Sequence, residues 1–116
     1  MILLDTHAWI WWVQQDRRRL PPGLWSFLIG SSESWAVSAL SVYEVTVLQA
    51  RGRLPLGLPM DEWLEAALVE SDITAIPVDE AIAFRAAALP SIHGDPIDRI
   101  VVATALNLDA TLISAD

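Results

Sequence analysis

Residues 1–13 read MILLDTHAWIWWV, and the fold turns on how this stretch changes character at Asp5. Ile2, Leu3 and Leu4 form the short, unbroken apolar run that suits a strand covered on both faces of a parallel sheet. Asp5-Thr6 ends the run, after which Trp9, Trp12 and Val13 share one face at helical spacing. A strand passing straight into a helix is the first half of a parallel crossover unit. The same stretch lacks a basic flank, carries Asp5 and His7, and falls short of the roughly 20 apolar residues of a span. Neither a leader nor a membrane segment is expected, and the domain reads as cytoplasmic.

The pattern repeats outward from this start. Leu24, Trp25, Phe27 and Leu28 predict a second helix ending near Gly30, and residues 35–38 a strand. Ser41 and Glu44 stand at capping-box spacing and predict a helix that begins at Ser41 and runs to Arg51-Gly52. Gly52, Pro55, Gly57 and Pro59 then break the chain. Residues 60–70 read as helix, 73–78 as strand, 79–89 as alanine-rich helix and 90–96 as loop. Asp95 suits an N-cap and Pro96 a first helical position, ahead of a buried stripe through Ile97, Ile100, Val101, Thr104 and Leu108. Residues 111–114 form the last strand. This alternation predicts an α/β fold, three layers α/β/α around a mainly parallel central sheet, in a single domain over residues 1–116.

Composition narrows the chemistry. A chain of 116 residues that is 53% apolar can build one core without disulfides. There is no cysteine, which removes cysteine-ligated zinc, thiol catalysis and iron–sulfur chemistry. All seven bases are arginine, so a P-loop lysine, a Schiff base and a receiver-type lysine are excluded as well. Fifteen acids leave a net charge of −8, which repels phosphate backbones. Any nucleic-acid role then needs a cation or a basic partner to supply positive charge.

In a parallel sheet with right-handed crossovers the strand C-termini share one edge, where ligands of open α/β sheets bind. Five acids fall there by this reading: Asp5 after the first strand, Glu44 after the second, Asp95 and Asp98 at the start of the late helix, and Asp116 after the last strand. Each has a role that requires no ligand: Glu44 in a capping box, Asp5 and Asp95 as N-caps, Asp98 against the helix dipole, Asp116 in a loop. Several carboxylates brought together repel unless a cation intervenes, and oxygen donors suit Mg²⁺ or Mn²⁺. His7 and His93 lack the helical spacing of a zinc pair.

Four blocks in order, LLDTHAWIWW, SALSVYEV, HGDPIDRIVVATAL and LISAD, resemble the PIN-domain ribonucleases, specifically the VapC-like toxins of type II toxin–antitoxin pairs. The resemblance implies an acidic pocket of Asp5, Glu44, Asp98 and Asp116. Asp5 and Asp98 would hold Mg²⁺ or Mn²⁺, Glu44 and Asp116 would bind directly or through water, and Asp95 would be an N-cap or outer ligand. Thr6 matches the family's hydroxyl residue beside the first acid, in support of the ion or as a helix cap. The implied activity is endonucleolytic RNA hydrolysis leaving a 5′ phosphate. Implied partners are a VapB-like antitoxin and a second copy in a homodimer. Relatives continue into a further helix and strand, so the domain is expected to lack these. The competing expectation is a non-catalytic PIN-like interaction module with an incomplete pocket. Without lysine, substrate grip falls to Arg51, Arg53, Arg99 and the Arg17–Arg19 cluster. Among six tryptophans, Trp9, Trp35 and Trp63 are expected in the core, and Trp11 or Trp25 in a groove for an apolar partner helix.

Overall fold

Ile2–Leu4 forms β1, and all of its side chains are buried because the strand is interior to the sheet. The computed structural model describes residues 1–90 and 94–114. β1 pairs in parallel with β2 (Trp35–Ser38) on one side and with β4 (Thr111–Ile113) on the other, and β3 (Ile73–Ile76) pairs in parallel with β2. The order is β3-β2-β1-β4, with Leu4 opposite both Val37 and Ile113.

Side-chain alternation explains why β1 has no polar position. Ile2 and Leu4 enter one apolar cluster with Trp9 of α1 (Thr6–Val13), Leu28 of α2 (Pro22–Ile29), Val45 of α3 (Ala39–Ala50) and Trp63 of α4 (Met60–Leu64). Leu3 faces the other way and packs with Ala36 and with Val101 and Ala105 of α6 (Pro96–Leu108). Ala103 of α6 extends that side through Ile82 and Ala86 of α5 (Glu80–Ala88). Both faces of the sheet are therefore covered, as the three-layer reading requires.

Local chemistry sets most element ends. α3 closes in a Schellman motif: Gly52 at φ +70° donates to the Gln49 carbonyl, and Arg53 donates to that of Leu48. β3 stops at Ile76, two residues short of the expected Val78, because Pro77 has no N–H to continue a ladder. The start of α3 differs from expectation. Its N-cap is Ser38, whose Oγ accepts from the Leu40 N–H at 3.1 Å, so Ser41 lies inside the helix and the Ser41–Glu44 capping box does not form. The last strand residue, Ser38, supplies the cap without any intervening loop.

Residues 60–70 are helical, but α4 widens into a π-helical run over Glu65–Glu70. Two carbonyls of this run find side-chain donors: Ser71 Oγ reaches Ala66 O at 2.7 Å, and Trp9 Nε1 reaches Ala67 O at 3.1 Å. Trp9 and Trp63 are buried and meet edge to face at 5.1 Å. Trp35 is half-buried, 4.7 Å from Trp12. Trp25, with Arg17, Pro22, Ser26 and Ile29, borders a surface pocket. It is only 4% exposed, lies 4.9 Å from Trp12, and carries the Arg17 guanidinium over its ring at 4.7 Å. Trp11 is half-buried with His7 against it at 5.8 Å. Among the described residues no helix is long and apolar enough to cross a membrane.

Trp9→Phe keeps an aromatic ring in the core but strands the Ala67 carbonyl. A loss of about 1–3 kcal/mol is expected, read as a lower urea midpoint at unchanged slope.

Candidate active site

The parallel register brings three strand ends, at Leu4, Val37–Ser38 and Ile113, to one edge, and Asp5 is the first residue beyond it. The Asp5 N–H donates to the Ile113 carbonyl at 3.0 Å, so the β1–β4 ladder holds its backbone. The side chain is half-buried and N-caps α1: Oδ1 accepts from the Ala8 N–H at 2.8 Å. Capping occupies one oxygen in one direction and leaves a carboxylate fixed at the edge.

Glu44 is carried by α3, which starts directly after β2 at the same edge. It sits in the second turn, half-buried. Asp98 arrives on α6, whose far end turns through Asp109 in a left-handed conformation into β4. Because β4 is parallel to β1, the start of α6 lies at the carboxyl edge and the exposed Asp98 sits in its first turn. Asp95 is the N-cap, with Oδ1 accepting from the Ile97 N–H at 2.8 Å, as its spacing to Pro96 predicts. Asp116, and with it the last member of the expected set, lies outside the described residues, as does His93.

Thr6 does not cap α1. Its Oγ1 donates to Ser41 Oγ at 2.9 Å, with both residues buried, so the first turns of α1 and α3 are clipped together one residue from Asp5 and three from Glu44. Ser41 is thus a contact between α1 and α3 that capping-box spacing mis-assigned. The usable signal was Ser38, a better cap because a strand ends on it.

The arginines are largely engaged elsewhere. Arg99 donates to main-chain carbonyls around the end of α5, which makes it a structural anchor and removes it from the expected substrate grip. Arg85 bonds Asn107 Oδ1 at 3.0 Å, and Arg19 lies 3.6 Å from Asp16. The Arg17–Arg19 cluster follows the far end of α1, about 12 Å of helix away from Asp5. Arg51 and Arg53 are exposed where α3 closes.

The donors that reach the edge are hard oxygens, the type that Mg²⁺ and Mn²⁺ take. Among the described residues no three acidic or histidine side chains gather closely enough to hold an ion. The chemistry of the donor set fits a hard divalent cation: Asp5 follows β1 at this edge, and the helices that carry Glu44 and Asp98 begin at it.

Known proteins resemble this chain throughout its length. A family model described as PIN domain matches residues 2–116. Ribonuclease VapC22 of Mycobacterium tuberculosis (strain ATCC 25618 / H37Rv) is 31% identical over 116 residues, covering 99% of this chain and 86% of that protein. Among solved structures, a toxin-antitoxin complex from Klebsiella pneumoniae contains a chain that superposes with a TM-score of 0.61 at 20% identity, over 97% of this chain and 83% of its own. The last likeness bears on the fold.

The Thr6–Ser41 clip is open to a double-mutant cycle. Thr6→Val removes the donor from a dry site and is expected to cost about 1–3 kcal/mol. Ser41→Ala alone should also destabilise, and the double variant should lose less than the two singles added, as urea unfolding of all four proteins will measure.

Proposed function

The chain belongs to the PIN domain family, and from that premise we propose that it is a divalent-metal-dependent endoribonuclease, the toxin of a toxin–antitoxin pair. The observation that carries the reading is the likeness to Ribonuclease VapC22 along 99% of this chain. Asp5 after β1, and the start of the helices carrying Glu44 and Asp98 at one sheet edge, support it from chemistry. A chain of net charge −8 with few uncommitted arginines must draw RNA phosphates through something other than a basic face.

In this proposal Asp5, Glu44, Asp98 and Asp116 would hold Mg²⁺ or Mn²⁺, with Asp95 at most an outer contact, and the chemistry supplied there would be polarisation of the scissile phosphate and a lower pKa for the attacking water. The chain itself orients and exchanges protons. Asp5 is locked by its cap to Ala8 and its backbone bond to Ile113, so its carboxylate direction is set before substrate arrives. The buried Thr6–Ser41 bond fixes the spacing of the helices that carry Asp5 and Glu44. One carboxylate oxygen of the set accepts the proton of the attacking water as its oxygen bonds to phosphorus and the P–O3′ bond breaks; the leaving oxygen takes a proton from solvent, so cleavage leaves a 5′ phosphate and a 3′ hydroxyl. A VapB-like antitoxin covering this edge and self-association into a homodimer complete the proposal, in the cytoplasm.

A second reading is a non-catalytic PIN-like interaction module. It draws on the absence of any tight group of three acidic or histidine side chains among the described residues. Incubating antitoxin-free protein with RNA in Mg²⁺, Mn²⁺ or chelator, alongside a folded Asp98→Asn variant, separates the two. The nuclease reading expects metal-dependent cutting that falls by orders of magnitude in the variant. Cutting that is absent throughout, or equal in both proteins, favours the module.

Cation binding is measurable without RNA. A divalent ion at about a hundred times its Kd should add about 2.7 kcal/mol to native stability, seen as a raised melting temperature. Asp5→Asn retains an N-cap of equal quality while removing the charge. Its metal-induced shift should therefore shrink although the fold persists, and an undiminished shift would leave Asp5 a cap alone.

A further inference from the structure

α5 ends without a helical closing motif, because Leu89 leaves it in an extended conformation at φ −65°, ψ 150° and the chain enters Pro90. The last carbonyls of a helix need partners from somewhere else. Here they come from α6. Arg99 Nε donates to Ala86 O at 3.1 Å, Nη2 to Ala87 O at 3.3 Å and to Leu89 O at 2.7 Å, and Nη1 to Pro90 O at 3.1 Å. A planar fork with five N–H donors can serve several carbonyls at once, and its charge suits the negative end of a helix dipole. The Arg99 backbone N–H meanwhile donates to the Asp95 carbonyl at 3.1 Å, within the first turn of α6. One residue therefore joins the end of α5, the start of the connection after it and the beginning of α6.

Asp98 is its immediate neighbour in that turn. Successive residues of a helix project roughly 100° apart, so an anchor at Arg99 sets the rotation of α6 about its axis and with it the direction of Asp98. We propose that Arg99 is a positioning residue of the acidic edge: by tying the first turn of α6 to the end of α5, it holds Asp98 where a divalent cation is bound. The consequence for the cation rests on the ribonuclease reading above, and the anchoring does not.

Arg99→Ala and Arg99→Lys, with Asp98→Asn as reference, test this through three measurements. Amide exchange at residues 97, 99 and 100 reads the first turn directly, free-Mn²⁺ signal in titrations reads cation affinity, and steady-state cleavage separates kcat from KM. Expected for Arg99→Ala are faster exchange confined to that turn, a Mn²⁺ affinity lower by about 10–100-fold, and reduced kcat at unchanged KM for RNA. Lysine offers a single point donor and should fall between the parent and alanine. If the alanine variant does not fold, Arg99→Lys carries the same measurements. Unchanged Mn²⁺ affinity in a folded variant overturns the proposal, and so does a rise in KM alone, which would make Arg99 an RNA contact. If the parent neither binds Mn²⁺ nor cuts RNA, the ribonuclease reading falls. Exchange then decides the anchor alone: accelerated rates uphold it and unchanged rates overturn it.

Discussion

The hydrogen bond from the Asp5 N–H to the Ile113 carbonyl carries the parallel ladder one residue past the end of β1. It matters because parallel pairing leaves no choice of edge. Once β1 lies between β2 and β4 with Leu4 opposite Val37 and Ile113, whatever follows each strand emerges on the same side. Asp5, the Ser38 cap of α3 and Ser114 stand at one edge for that reason. Helices starting at that edge present their N-terminal turns to it, where carboxylates are electrostatically favoured even before any ligand is considered. Acids at this edge therefore cost less than the same acids elsewhere on the surface.

Much of this was legible from residue patterns. The Ile2–Leu4 run announced a doubly covered strand, and the structure shows the reason: Leu3 packs on α6 while its two neighbours pack on the opposite layer. Asp95-Pro96 announced the start of α6, since proline fixes φ and aspartate accepts the first free N–H. What pattern missed is tertiary. Ser41 and Glu44 have the spacing of a capping box, yet Ser38 caps first because β2 hands over to α3 with no loop, and Ser41 turns inward to Thr6. Spacing cannot report which of two serines is nearer the helix start.

Arginine assignments show the same limit. Seven arginines in a lysine-free chain invite the view that they hold substrate. Pro90 biases Leu89 toward an extended exit from α5, but nothing local indicates that Arg99, ten residues beyond Leu89, satisfies the carbonyls left there. Trp25 is similar: three further tryptophans sit near it in sequence, at positions 9, 11 and 12, and only packing decides which ring is enclosed. The π-helical run over Glu65–Glu70 is invisible to periodicity too, because two of its carbonyls are satisfied by Trp9 and Ser71, one of them far away in sequence.

The strand order also has a temporal consequence. β1 is the first strand made and β4 the last, yet they are direct neighbours in the sheet. During synthesis β1 can pair early with β2, while its other flank waits for β4, the later of its two neighbours in sequence. Long-range pairing of this kind slows folding. For a protein whose acidic edge depends on both strands, the delay means that a partly made chain cannot assemble that edge. That edge is then set only after β4 has been made.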